Sequence, residues 1–427
     1  MTGNRAKHYL VTIHGIGANK QIFGYLAPAL AHHWSADTDL VYLAFEYHTG
    51  NDQLTTFDFA QSLDNFLQQQ ISPESLSSDD QLSLVAHSQG GLVTMLWLYQ
   101  AFCNHSSLLP LIKNVITLAT PFWGSKIAEL GSDVYKIWKK TGKDFFLPTG
   151  QKEMNEMTFL SDTVVFMRQL FIANEYSDFS SYLKHTIQFH SIAAYSKSLG
   201  NLNYIIGDAG ILESDSAVSI PSARADFYYL QDHNENYIQN EVISLDRTKL
   251  ISFASFNLVN AIHHTFASID GPLLGIAQIP KRSINNLHYH PTLPILMSIL
   301  NQQETFNNNE TMIVDQGLKF FILDFNIIFL SEEIPQFSDI KISFKKLNGD
   351  RLKWNEISIG WTPFHGADYK KRSETEVRYS YNGQIKNQTS SYFLMITIEA
   401  TNFRSRTIET LVRPSYSTYL DITMIKE

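Results

Sequence analysis

The chain has 427 residues, 44% of them hydrophobic and 18% charged, which is enough apolar sequence for two packed domains and excludes a largely disordered chain. Its formal net charge of −9 lies entirely in residues 1–304, and residues 305–427 hold 15 basic and 15 acidic side chains. This charge argues against a nucleic-acid-binding protein. The single cysteine, Cys103, excludes an intramolecular disulfide.

The N-terminus passes from a short polar lead directly into an apolar strand-like run, and no run of 18 uncharged apolar residues occurs. The sequence therefore predicts neither a secretory signal peptide nor a membrane-spanning helix. We expect a cytoplasmic protein or one that associates peripherally with a membrane. Export without a signal peptide and assembly into a homo-oligomer stay open.

Apolar strand-like runs alternate with amphipathic segments in the first 120 residues. Strands are predicted at 9–13, 40–47, 82–87 and 114–121, and helices at 23–34, 56–71 and 89–102. This alternation is typical of a mostly parallel sheet with flanking helices. The aromatic, mainly helical residues 125–185 are interpreted as a cap-like insertion, with peripheral scaffold as the alternative. Strand-like runs return at 185–195, 203–208 and 253–262.

The character of the sequence changes at the Asn- and Gln-rich stretch 301–312. Beyond it, strand-like runs follow one another closely, with no convincing helix among them. This spacing predicts an antiparallel β-sandwich-like domain over residues 310–427. The predicted architecture is thus an α/β domain over residues 1–300, followed by an all-β domain.

The stretch LVAHSQGG, residues 84–91, lies where a predicted strand meets a predicted helix. A serine at the centre of such a turn is typical of a nucleophile elbow, whose strained backbone exposes the hydroxyl. Ala86 and Gly90 are the small residues that the close approach of strand and helix needs, although Ala86 replaces the first glycine of G-x-S-x-G. We predict that Ser88 is the nucleophile; the alternative is an ordinary small residue at a junction.

Acyl transfer by a serine also needs N–H donors that face the developing oxyanion. The residue after the nucleophile supplies one such donor in a nucleophile elbow, which points to Gln89. The turn HGIG, residues 14–17, follows the first predicted strand. The Ile16 N–H is the best candidate for the second donor, because the flanking glycines permit the required backbone angles.

In a chain of this type the acid follows the nucleophile, and the histidine base comes last. The stretch ESDSAVSIPSA, residues 213–223, follows a returning strand. It makes Asp215 the preferred acid. Asp208 is the main rival, and Asp226 and Glu213 are weaker ones.

Two adjacent histidines, His263 and His264, follow the last predicted strand of the α/β domain, where a general base is expected. We prefer His263, because Phe266 supplies an apolar anchor three positions on, and keep His264 as the alternative. His87 is read as a neighbour of the nucleophile. No metal-ligand spacing and no dinucleotide or phosphate-binding fingerprint occurs, so neither a metal nor a cofactor is predicted.

Four of these segments resemble those of bacterial α/β-hydrolase lipases: IHGIG, LVAHSQGGLV, ITLATPFWGS and SDSAVSIPSA. The last is similar to the lipase acid loop D-G-x-V-P-x-S-S-A, with Ser216 in place of glycine. Together with the all-β C-terminal domain and the missing signal peptide, the chain looks most like the bacterial cell-associated phospholipase A/lysophospholipase A group.

The resemblance implies an α/β-hydrolase fold and hydrolysis of phospholipid or lysophospholipid esters by a Ser-Asp-His triad through an acyl-enzyme. One alternative is an esterase or acyl-thioesterase that acts on non-membrane substrates. Another is a non-catalytic binding protein built on the same scaffold.

Overall fold

The protein is described here by a computed structural model. The described residues are 5–50, 53–72, 76–125, 128, 150–196, 214–239, 241–252, 254–260, 262–264, 274–302, 313, 318, 320–331, 335–346, 357–359, 368–371, 375–385 and 392–427. The chain divides into two compact units. The first comprises Met1–Leu202, Ser214–Ala225 and Phe253–Asn309, and the second comprises Asn203–Glu213, Asp226–Ser252 and Glu310–Glu427.

The first unit is built on a six-stranded sheet in which every neighbouring pair is parallel. Its strands are β1 (Lys7–Ile13), β2 (Asp39–Phe45), β3 (Gln81–His87), β4 (Ile112–Leu118), β5 (Gln188–Tyr195) and β9 (Ala254–Asn260). The order across the sheet is β2-β1-β3-β4-β5-β9. The central strands β3 and β4 are buried along almost their whole length, as both faces of a parallel sheet are covered. This arrangement matches the predicted α/β architecture.

Helices flank this sheet and connect its strands. They are α1 (Leu26–His33), α2 (Thr56–Gln70), α3 (Gln89–Cys103), α4 (Gln151–Glu156), α5 (Asp162–Ile172), α6 (Ser177–Thr186), α7 (Ile220–Ala223) and α8 (Thr292–Leu300). Helix α2 begins with a capping box in which Thr55 and Asp58 satisfy each other's backbone N–H groups. Helix α3 follows β3 directly and is buried on most of its surface. Within the described part of the chain, no helix is both long and apolar enough to cross a membrane.

Short 3-10 helices complete the described helical structure. They span Lys20–Phe23, Leu109–Leu111, Asn174–Tyr176, Leu245–Arg247, Lys281–Ile284, Leu287–Tyr289 and Phe337–Asp339. An apolar core on one side of the parallel sheet contains Leu10, Val85 and Ile116 from the strands, with Leu30 of α1 and Leu296 of α8. Burial of these side chains holds α1 and α8 against the sheet.

The described part of the predicted insertion, residues 150–185, packs against the central helix α3. Tyr99 of α3 lies with its ring centroid 5.5 Å from that of Phe166 and 5.4 Å from that of Phe179. Edge-on aromatic contacts of this kind stabilise a packed scaffold. Residues 126–127 and 129–149 of the insertion lie outside the described residues, so a cap over the site stays a prediction.

The second unit consists of two facing β-sheets. Its strands are β6 (Phe227–Asp232), β7 (Val242–Ile243), β8 (Lys249–Ile251), β10 (Phe320–Leu330), β11 (Ile340–Lys346), β12 (Ile357–Ile359), β13 (Asp368–Lys371), β14 (Glu376–Ile385), β15 (Tyr392–Ala400), β16 (Phe403–Val412) and β17 (Ser417–Ile425). One sheet has the order β12-β14-β10-β17-β6-β8 with β13 also on β14, and the other has the order β11-β15-β16-β7. Alternate residues of both sheets, such as Phe325 and Ile396, share one apolar core.

Two features of the second unit differ from the sequence expectation. First, the sheets are not purely antiparallel, because β17 pairs in parallel with both β10 and β6. Second, strands β6, β7 and β8 come from residues 226–252, inside the predicted domain 1–300, and pair with each other or with strands of the C-terminal part. Strand pairing over such a sequence distance is set by the tertiary fold, which local patterns do not report. The predicted strand at 203–208 lies outside the described residues.

Candidate active site

Ser88 lies at the sharp turn between β3, which ends at His87, and α3, which begins at Gln89. Its backbone angles are φ 55° and ψ −127°, a region that is unfavourable for residues with a Cβ atom. The Ser88 N–H donates to the Leu118 carbonyl oxygen at the end of β4, 2.9 Å away. The neighbouring strand therefore stabilises the strained turn, which is the elbow geometry predicted for this serine.

Glycines allow three backbone segments to meet at this turn. A Cβ atom on Gly90 would lie 2.5 Å from the carbonyl oxygens of Ile13 and His14, and one on Gly91 would overlap the side chain of Thr120. A Cβ atom on Gly15 would lie only 2.6 Å from the Ser88 Cβ. The HGIG turn thus passes directly beside the serine, and it carries the predicted oxyanion donor Ile16.

His264 and Asp215 form a short, buried pair. His264 Nδ1–H donates to Asp215 Oδ2 over 2.7 Å, and the His264 backbone N–H donates to the Asp215 carbonyl oxygen over 2.7 Å. The Asp215 side chain is fully buried. Its other oxygen, Oδ1, accepts the N–H groups of Ala217 at 3.0 Å and Val218 at 2.8 Å. Four hydrogen bonds therefore fix the carboxylate and the histidine ring relative to each other.

The pair lies beside the elbow. The rings of His264 and His87 are 4.6 Å apart between centroids, and His87 directly precedes Ser88. Burial, and then the neighbouring His264, lower the pKa of His87 well below its usual value, so His87 stays neutral. Because Nδ1 of His264 is committed to Asp215, its Nε2 is the nitrogen left to accept a proton.

His263 faces a different partner. Its Nε2 lies 3.1 Å from the Ser196 hydroxyl, and burial lowers its pKa. Its backbone pairs with the 274–276 segment, where the His263 N–H donates to Leu274 and the His263 carbonyl accepts from Ile276. The structure thus brings His264, and not the preferred His263, to the Asp215 carboxylate. In extended backbone, consecutive side chains point to opposite sides, so only one of the two could reach it.

The structure describes only one of the three rival acids. Asp208 and Glu213 lie outside the described residues, and Asp226 belongs to the second unit. The loop that carries Asp215 is held by the segment after β4. Ser125 Oγ donates to the Ala217 carbonyl over 2.7 Å, and Ser222 Oγ donates to the carbonyl of residue 124 over 2.5 Å. The lipase-like segments ITLATPFWGS and SDSAVSIPSA are therefore joined by hydrogen bonds.

The oxyanion side of the site contains side chains that the sequence did not single out. Tyr47 O–H donates to the His14 carbonyl over 2.7 Å. The rings of Tyr47 and His14 also stack, with centroids 4.3 Å apart. Thr49 Oγ1 accepts the Gly17 N–H at 3.0 Å. A buried carboxylate, Glu153 of α4, accepts hydrogen bonds from Thr49 and from the side chain of residue 89. A lone Glu in an aromatic stretch gives no sequence signal for such a role.

Among the residues that the structure describes, there is no group of three or more His, Cys, Asp or Glu side chains that could hold a metal ion. Glu153, Asp215 and His264 bond to neighbouring side chains and to the backbone. Such an arrangement fits proton transfer and oxyanion stabilisation by the chain's own groups.

A family model matches the N-terminal part of the chain. Residues 3–201, just under half of the chain, match the family described as "Putative serine esterase (DUF676)". No curated protein matches the chain by sequence. The N-terminal part of the chain is therefore similar to this family.

Two solved structures of a phospholipase share the fold of this chain. The chain matches phospholipase PlaB from Legionella pneumophila with a TM-score of 0.68 at 12% identity, over 98% of this chain and 94% of that one. PlaB in complex with thio-NAD matches with a TM-score of 0.67 at 13% identity and the same coverage. A Bacillus licheniformis lipase, BlEst2 in mature form, has a TM-score of 0.34 at 18% identity, over 52% of this chain and 80% of that one. The PlaB likeness confirms the predicted fold class, an α/β-hydrolase followed by a β-sandwich-like domain.

Proposed function

We propose that the chain is a serine carboxylic-ester hydrolase in which Ser88, His264 and Asp215 form the catalytic triad. The observation that carries this proposal is the strained Ser88 turn beside a histidine whose Nδ1–H is bonded to a buried carboxylate. That hydrogen bond leaves Nε2 as the acceptor for the serine proton. A base held in this tautomer is what acyl transfer by serine needs.

The reaction proceeds in two halves. His264 Nε2 takes the Ser88 hydroxyl proton as Oγ attacks the ester carbonyl, and the N–H groups of Ile16 and Gln89 stabilise the resulting oxyanion. Collapse of this intermediate breaks the ester C–O bond, and His264 returns the proton to the leaving alcohol. In the second half, His264 removes a proton from water as the water oxygen attacks the acyl-Ser88 carbonyl. The bond between the acyl carbon and Ser88 Oγ then breaks, His264 returns the proton to Oγ, and the carboxylic acid leaves.

The proposed substrate is a phospholipid or lysophospholipid, which makes the protein a phospholipase A/lysophospholipase A. This choice is supported by the fold shared with a protein named as a phospholipase, since the likeness spans 98% of the chain, including the all-β part. It is also supported by the lipase-like sequence segments around the site. Peripheral membrane contact and assembly into a homo-oligomer stay predictions from the sequence.

Labelling with a fluorophosphonate probe tests the reaction class. We expect the wild type and His263→Asn to label, and Ser88→Ala to lose the signal. His264→Asn should label far more slowly, because Ser88 then lacks its base. A wild type that does not label would leave the scaffold as a binding protein and overturn the proposal.

Product analysis tests the substrate class. Fatty-acid release is measured from phosphatidylcholine, lysophosphatidylcholine and a short nitrophenyl ester, with wild type and Ser88→Ala side by side. We expect release from at least one of the two lipids that depends on Ser88. Ser88-dependent hydrolysis of the short ester alone would instead assign the protein as a soluble esterase.

A further inference from the structure

Glu153 is a buried carboxylate from the insertion that the proposed mechanism does not use. It lies in the first turn of α4 and is fully buried. Its Oε1 accepts the Gly50 N–H over 2.7 Å. Its Oε2 accepts the Thr49 hydroxyl at 2.7 Å and the Gln89 Nε2–H at 3.2 Å. In these contacts the side chain acts only as an acceptor, which is the role of an ionised carboxylate.

Two side chains that bond to Glu153 connect it to the segments with the proposed oxyanion donors, which are the start of α3 and the HGIG turn. Gln89 supplies one donor through its own backbone N–H. Thr49 Oγ1, which donates to Glu153, also accepts the Gly17 N–H at 3.0 Å and so holds the HGIG turn next to Ile16. One carboxylate thus connects the two sides of the oxyanion hole through a single shared atom, Oε2.

Tyr47 closes the same network from the other side. Its hydroxyl donates to the His14 carbonyl over 2.7 Å and reaches the Gln89 Oε1 at 3.4 Å. Burial, and then the charge of Glu153, raise the pKa of Tyr47 well above its usual value, so it stays a protonated donor. Glu153 therefore holds the Gln89 NH₂ group, and the Tyr47 hydroxyl lies within 3.4 Å of the Gln89 oxygen.

We infer that Glu153 is a positioning residue for the oxyanion hole, and this inference rests on the proposed function. The carboxylate sets the spacing between the HGIG turn and the start of α3, and thereby between the N–H groups of Ile16 and Gln89. The charge of a carboxylate by itself disfavours a nearby oxyanion. Removal of the charge and loss of positioning therefore have opposite effects on the rate, which makes them distinguishable.

Glu153→Gln is the informative variant, and Glu156→Gln is its matched control. In Glu153→Gln an NH₂ group must face N–H or O–H donors, so the network cannot keep all its hydrogen bonds. Glu156 lies on the same helix, and its Oε2 accepts the N–H and hydroxyl of Thr56 at 2.8 Å and 2.6 Å. It anchors α4 to the start of α2 without contacting either oxyanion segment.

The measurements are kcat and KM on a nitrophenyl ester, the Ki of a trifluoromethyl ketone and the melting temperature. The ketone forms an adduct with Ser88 that carries the oxyanion, so its Ki reports the oxyanion hole. For Glu153→Gln we expect kcat to fall about 10- to 100-fold with little change in KM, and Ki to rise in step with the loss of kcat/KM. Glu153→Asp should recover part of the loss. Glu156→Gln should keep kcat within about twofold, because it leaves the donors in place.

Thr49→Val keeps the test falsifiable if Glu153→Gln does not fold. It removes the link from Glu153 to the Gly17 N–H without creating an unpaired charge, and we expect a smaller, parallel loss in kcat and ketone affinity. Unchanged or raised kcat in Glu153→Gln, or an equal loss in Glu156→Gln, overturns the positioning role. A wild type that neither labels with fluorophosphonate nor hydrolyses the ester overturns the proposed function itself.

Discussion

Replacing Asp215 by Asn preserves the size of the side chain but exchanges one carboxylate oxygen for an NH₂ group. In the wild type, Oδ1 accepts two backbone N–H groups, from Ala217 and Val218, and Oδ2 accepts the His264 Nδ1–H. The amide keeps both backbone hydrogen bonds only if its oxygen faces them, which turns the NH₂ group toward His264. Nδ1 must then accept, and the ring proton moves to Nε2, the atom that serves Ser88.

The expected loss in kcat is on the order of 10⁴, as found for the wrong histidine tautomer in the best-studied serine triad. That factor corresponds to about 5.5 kcal/mol of transition-state stabilisation. The assay is hydrolysis of a nitrophenyl ester near pH 8, with the melting temperature measured in parallel. Stability should change little, because the two backbone donors of the buried loop keep their acceptor.

His263→Asn is the matched control, because it changes the adjacent histidine, whose ring Nε2 lies 3.1 Å from the Ser196 hydroxyl. We expect its kcat to stay within about tenfold of the wild type, since the proposed triad is intact. Asp215→Asn activity above about a tenth of the wild type would refute the tautomer argument. So would an equal loss in both variants.

Two further predictions concern stability. Ser216 has a φ of 95°, a backbone angle that glycine adopts more readily than serine. Ser216→Gly should therefore raise the free energy of unfolding, measured by urea titration, by about 1 kcal/mol. An unchanged or lower free energy of unfolding would contradict backbone strain at this residue. Burial lowers the pKa of both His8 and His290 to about 4, so between about pH 6.5 and 4 the unfolded chain binds more protons than the folded one. The free energy of unfolding, measured by urea titration, should therefore fall as the pH drops through this window, by up to about 3 kcal/mol per histidine. A free energy of unfolding that holds steady from pH 7 to 4.5 would count against these pKa values.

Much of the first unit follows from local sequence patterns. Strand β3 was predicted at 82–87 and spans Gln81–His87, and α3 was predicted at 89–102 and spans Gln89–Cys103. Both elements are continuous apolar runs, and the boundary between them is marked by Ser88 and the glycines that follow it. The elbow was predictable because its steric demands act on adjacent residues, and Gly90 meets them at 2.5 Å from two carbonyl oxygens.

The choice between His263 and His264 could not be made in the same way. Both follow β9, and their order in the chain satisfies the pattern equally well. What separates them is the backbone pairing of His263 with the 274–276 segment, which turns its ring toward Ser196 and leaves His264 on the side of Asp215. That pairing depends on a contact more than ten residues away, and a local pattern does not report it.

Residues 226–252 differ most from the sequence prediction. They form strands β6, β7 and β8 of the second unit, although they lie within the predicted α/β domain. Tyr228 of β6 pairs with Thr418, so the partner of this strand is almost 200 positions further along the chain. Residues 226–252 also lie between Asp215 and His264 in the sequence. The chain therefore passes through the second unit between the acid and the base. Deletion of residues 310–427 would remove β17, the parallel partner of β6. The deletion would therefore leave unpaired backbone groups in the segment between Asp215 and His264.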